Sequence, residues 1–90
     1  MATAIVLLSV EPQETRSTAE AIAAIEGVTE VYSVAGTFDL VAILRVSGDE
    51  KLAELVTEKI RGVPGILKSQ TLIAFRAYSR FDLASMFDID

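Results

Sequence analysis

The segment Val34-Ala35-Gly36-Thr37-Phe38-Asp39, with the run Leu40-Val41-Ala42-Ile43-Leu44 after it, limits the possible folds more than any other part of the chain. A strand rich in β-branched residues ends at a glycine, the chain turns within about three residues, and an aspartate precedes five apolar residues in a row. Gly36 takes positive φ without a side-chain clash, and the Asp39 carboxylate can tie to nearby backbone amides, so the segment predicts a tight β-hairpin. The run after Asp39 shows no polar/apolar alternation, which marks a strand covered on both faces. A small sheet with two apolar faces has too few helices of its own to cover both. The sequence therefore predicts an oligomer.

The flanking segments supply the other elements. Residues 2–10 form a first strand, with Ala4, Val6, Leu8 and Val10 facing one way and Ile5 and Leu7 the other. Pro12 ends it, and a helix begins at Gln13 or Glu14 with acidic residues at its positive end. Thr18, Ala21, Ile22 and Ile25 recur at helical spacing as one inner stripe, and Gly27 follows as a C-cap. Val28 to Ala35 read as the second strand and Leu40 to Val46 as the third. Ser47 or Asp49 then caps a second helix, whose inner stripe is Leu52, Leu55, Val56 and Ile60. Pro64-Gly65 turn the chain into a long fourth strand, Ile66 to Tyr78. Residues 1–78 make one domain, and 79–90 a tail carrying Phe81, Leu83, Met86 and Phe87.

The order is βαββαβ, and its halves resemble each other. Ile25-Glu26-Gly27-Val28 aligns with Ile60-Arg61-Gly62-Val63 at an offset of 35 residues. Two βαβ units with right-handed crossovers give an α+β, ferredoxin-like fold: a four-stranded antiparallel sheet with both helices on one face. The other face, with Ile5, Leu7 and alternate residues of strands three and four, exceeds the few hundred Å2 of apolar patch that monomers carry. A second copy packed face to face would bury it. The tail folded back across the sheet is the competing cover.

Composition excludes several classes. Ninety residues make one domain, 51% apolar, without a run near the roughly 20 apolar residues of a membrane span. The start shows no secretory leader, so the expected location is cytoplasmic. The absence of Cys and His removes disulfides, thiolate metal sites and the usual metal ligand. Eight scattered basic residues against 13 acidic ones give a net charge of −5, which predicts no direct nucleic-acid binding. The sequence calls for no cofactor, no metal and no catalytic residue. Its carboxylates are dipole-complementing or solvated helix residues, and its glycines are isolated rather than grouped as a phosphate loop.

One constellation has binding chemistry. Backbone amides of Gly36, Thr37, Phe38 and Asp39 could take a carboxylate, and the Asp39 side chain an ammonium. Ser69 and Thr71, in the fourth strand, could add hydroxyls. The plain alternative is that Asp39 holds its turn while Ser69 and Thr71 are ordinary strand residues.

Val34-Ala35-Gly36-Thr37-Phe38-Asp39, Val63-Pro64-Gly65-Ile66 and Ser69-Gln70-Thr71-Leu72-Ile73 together resemble the C-terminal regulatory (RAM) domain of the Lrp/AsnC transcription regulators, over about residues 2–78. The resemblance implies dimers through the sheet faces, rings of dimers, and an amino-acid-like effector between subunits. It puts ligand contacts at Gly36, Thr37, Phe38, Asp39, Ser69 and Thr71. The family's regulators carry a helix-turn-helix before this domain, whereas here the sheet begins at residue 2. The expectation is a stand-alone form acting through a DNA-binding Lrp/AsnC partner. A small dimeric enzyme of the α+β barrel type is the alternative, disfavoured by the missing histidine, and a third is an ACT-like module.

Overall fold

The two most apolar runs of the sequence become the two central strands of one sheet. The computed structural model describes residues 1–80. Strand β1 spans Ala2–Val10, followed by a 3-10 turn at Pro12–Glu14 and helix α1 at Thr15–Ala23. Strands β2 (Val28–Ser33) and β3 (Leu40–Val46) lead to helix α2 (Asp49–Glu54), which continues as a π-helix over Leu55–Ile60, and β4 (Ile66–Ala74) closes the order. The sheet runs β2-β3-β1-β4, every neighbouring pair antiparallel. This is the ferredoxin-like α+β arrangement.

Burial along β1 and β3 shows why the strands lack alternation. Ala4, Val6, Leu8 and Val10, with Leu40, Ala42 and Leu44, are fully buried against Ile22 of α1 and against Leu52, Leu55 and Ile60 of the second helix. On the other face, Ile5 stands opposite Ile43 and Leu7 opposite Val41, with Leu72 beside Ile5. No element among the described residues covers that face. Ile5, Leu7, Val41 and Ile43 are half-buried, and Leu72 and Tyr32 are exposed. Among the described residues the apolar face is thus bare.

Several boundaries differ from the sequence reading. β2 stops at Ser33 rather than Ala35, so the connection runs over residues 34–39 and is longer than a tight turn. β4 ends at Ala74 rather than Tyr78; Phe75 and Tyr78 are almost wholly exposed, and their apolar character alone had extended the strand. Ala21 is exposed, so the inner face of α1 is Thr18 and Ile22, flanked by Ala19 and Ile25. Neither Ser47 nor Asp49 caps α2: the N-cap position is Gly48, with no side-chain hydrogen bond.

The repeat is genuine but its register is 38 residues, not 35: Ile22 and Ile60 are both buried, and Gly27 and Gly65 both take positive φ, +101° and +95°. Matching backbone bonds close the two helix ends, Ile25 N to Ile22 O and Val63 N to Ile60 O, each 3.0 Å. The shorter offset aligned two glycines, but Gly62 does not share the backbone conformation of Gly27. Apart from Phe81, Leu83, Met86 and Phe87, which lie outside the described residues, the tail is represented by Ser79 and Arg80.

Candidate functional site

The hairpin is held to β1 through Asp39. Its backbone N–H donates to the carbonyl of Leu8 at 2.8 Å, and its carbonyl accepts from Val34 N at 3.0 Å, closing the loop. The carboxylate Oδ2 accepts a 3.0 Å bond from the amide of Val10, at the end of β1. Among the described residues the other oxygen, Oδ1, has no partner, and Asp39 is exposed as a whole. One oxygen therefore holds the loop while the other is left unused among the described residues. Gly36 has φ +143°, with nothing within 4 Å of where a Cβ would be, so backbone conformation rather than space selects glycine there. Thr37 is exposed and Phe38 half-buried.

Ser69 and Thr71 belong to a different place. In the sheet register Ser69 lies opposite Leu8 and Thr71 opposite Val6, while Leu8 and Val6 pair on their other side with Leu40 and Ala42. β1 therefore separates β4 from β3, and two interstrand spacings amount to about 10 Å. Thr71 lines an apolar groove with Leu52, Ala53 and Val56 of the second helix and Ile73 of β4. Within one chain the six predicted ligand residues form two groups: the loop at Gly36, Thr37, Phe38 and Asp39, and the edge-strand pair Ser69 and Thr71.

Sequence reasoning missed a second concavity, of about 380 Å3, at the opposite end of the sheet. It is lined by Glu26 and Gly27 from the turn before β2, Val46 at the end of β3, and Lys51, Glu54 and Lys59 of the second helix. The signal available was the spacing of Lys51, Leu55 and Lys59, which places them on one helical face. On the bare sheet face, Tyr32 donates its hydroxyl proton to Glu30 Oε2 at 2.5 Å. That bond, and then partial burial and the carboxylate's charge, raise the Tyr32 pKa above the ordinary phenol value. Among the described residues no group of three or more Asp or Glu could hold a metal ion, and no helix is long and apolar enough to cross a membrane.

A ferredoxin-like sheet with one apolar face bare among the described residues makes this an α+β module of ferredoxin-like type. The chain belongs to the family described as the Lrp/AsnC ligand binding domain, whose profile matches residues 3–83. It is 37% identical, over 76 residues, to an uncharacterized HTH-type transcriptional regulator, PH1916, of Pyrococcus horikoshii, a match covering 81% of this chain and 51% of that one. The chain thus spans about half the length of the curated relatives it matches. The structure of TTHA0845 from Thermus thermophilus is 44% identical with a TM-score of 0.83, covering 89% of this chain and all of that one. A more distant fold match, 12% identical with a TM-score of 0.72 over 94% of this chain and 58% of that one, is the Neisseria meningitidis transcriptional regulator NMB0573 in complex with L-Met. The family is one of transcriptional regulators, which sets aside the enzyme reading.

Proposed function

We propose that this chain is an effector-sensing and oligomerisation module of transcription control, with residues 1–78 as its working domain. It binds a small amino-acid-like effector between subunits and acts through partner proteins, a DNA-binding Lrp/AsnC regulator first among them. The observation that carries the reading is the division of the ligand residues. The Gly36–Asp39 loop and the Ser69–Thr71 pair are held apart by β1 within one chain, so a second copy is needed to bring one chain's loop to another's edge strand. The bare face of Ile5, Leu7, Val41 and Ile43 supplies the means of assembly as a homodimer, from which rings of dimers are built. With a net charge of −5 the chain leaves DNA contact to its partner. The fold shared with the L-Met complex of NMB0573 supports an amino acid as the ligand.

Thermal shifts against a panel of amino acids test the reading. A ligand that binds only the folded protein stabilises it by about 2.7 kcal/mol at a hundredfold excess over Kd. For any amino acid that shifts the wild type, Asp39→Ala should weaken binding roughly ten- to a hundredfold, the worth of a charge-assisted hydrogen bond. It should also lower stability by about 1 kcal/mol through the lost Val10 contact. Lower stability with unchanged affinity would assign Asp39 to the loop alone and defeat the site.

A further inference from the structure

We propose that the concavity at the far end of the sheet is a second binding site, contained within one chain, for a small zwitterion carrying at least one ammonium and one carboxylate. It is separate from the Gly36–Asp39 loop. That loop joins the ends of β2 and β3 next to Leu8 and Val10, whereas this cleft begins where Val46 pairs with Ala2, at the other end of the same strands. Its volume, about 380 Å3, falls in the range of pockets that hold small molecules, roughly 300–1,000 Å3.

The lining chemistry selects the ligand class. Its lining holds the basic residues Lys51, Lys59 and Arg45 and the acidic residues Glu26 and Glu54. Opposite charges that share a concavity ordinarily neutralise one another. Arg16 pairs instead with Glu20, elsewhere on α1. The side chains of Lys51, Lys59, Glu26 and Glu54 make no hydrogen bond or ion pair among the described residues. Both signs are thus presented uncommitted around one space, which complements a ligand bearing both signs better than a simple anion or cation. A ligand carboxylate would meet Lys51 or Lys59, and its ammonium Glu26 or Glu54, each as a charge-assisted bond.

Two independent features mark the wall of the cleft. Gly27 lies in its wall with φ +101°, and a Cβ there would come within 2.9 Å of Leu55 Cδ2 and Val46 Cγ1, side chains of two other lining residues. Any side chain at position 27 would force Leu55 or Val46 to move, so the glycine fixes the shape of this wall. Leu55 and Lys59 also lie in the π-helical stretch Leu55–Ile60, a geometry that is rare and frequently retained at functional sites.

Amide chemical shifts of the isotope-labelled full chain, titrated with L-lysine and L-glutamate, test the proposal. Acetate, methylammonium and inorganic phosphate serve as single-sign probes. The expected result is saturable movement of the Gly27, Ser47, Lys51 and Lys59 amides with either zwitterion, and only weak, non-saturating movement with the single-sign probes. Lys59→Gln and Glu54→Gln, both at exposed positions, should each weaken the zwitterions about tenfold. Movement confined to Gly36–Asp39 would overturn this site while supporting the loop reading. Equal saturation by acetate or phosphate would overturn the zwitterion assignment, as would affinity unchanged in both variants.

Discussion

Thr18 is the buried polar side chain among the described residues, and its hydroxyl donates to the carbonyl of Pro64 at 3.0 Å. The bond fastens α1 to the turn before β4, elements far apart in sequence. Thr18→Val keeps the shape but leaves that carbonyl unpaired, which should cost about 1–3 kcal/mol. For a domain of this size calorimetry should read a Tm lowered by about 4–8 °C per kcal/mol. Tyr32 gives a second residue-scale expectation. Its pKa is raised, first by the hydrogen bond to Glu30, so the folded state holds the phenol proton more tightly than the unfolded chain does. The contribution is therefore complete below the ordinary phenol pKa, near 10, and is lost as pH rises through the higher folded value. Ultraviolet titration of a Tyr78→Phe protein should show the phenolate forming above pH 10, and Glu30→Gln should bring it back down.

At the scale of elements, β1 and β3 were legible in the sequence to the residue, because each is an apolar run bounded by a breaker: Pro12 after one, Ser47-Gly48 after the other. The ends of β2 and β4 were not. Val34 and Phe75 look like strand residues, and only pairing decides that β2 stops at Ser33 and β4 at Ala74. The π-helix has no residue signature either; its residues, Leu55-Val56-Thr57-Glu58-Lys59-Ile60, would suit an α-helix equally well. The repeat misled for a physical reason, since glycines end helices in more than one backbone conformation and only Gly27 and Gly65 share one. The contact of Gly27 with the second helix predicts a coupling. Gly27→Ala should destabilise by about 1–3 kcal/mol through overpacking against Leu55 and Val46 and through its positive φ. Combined with Leu55→Ala, the loss should be less than the sum of the two single losses, which a double-mutant cycle would measure.

For the whole molecule, the apolar face that no described element covers was readable from the missing alternation in β3, whereas the division of the proposed ligand residues was not. Spacing along the chain gives strands and faces, but the β2-β3-β1-β4 order, which interposes β1, appears only when the sheet is assembled. Leu7→Glu places a charge in the middle of that face and should yield a monomer in sedimentation equilibrium at concentrations where the wild type is at least a dimer. A monomeric wild type would refute the assembly.

The same strand order bears on the birth of the chain. β1 is made first yet ends in the interior of the sheet, waiting on one side for β3 and on the other for β4, so that Thr3 meets Ala74 only when nearly the whole described chain has been synthesised. Every pairing of β1 is long in sequence, which slows folding relative to local structure. Until Ala74 arrives, the nascent chain carries a strongly apolar strand with an open edge, the state in which self-association competes with folding.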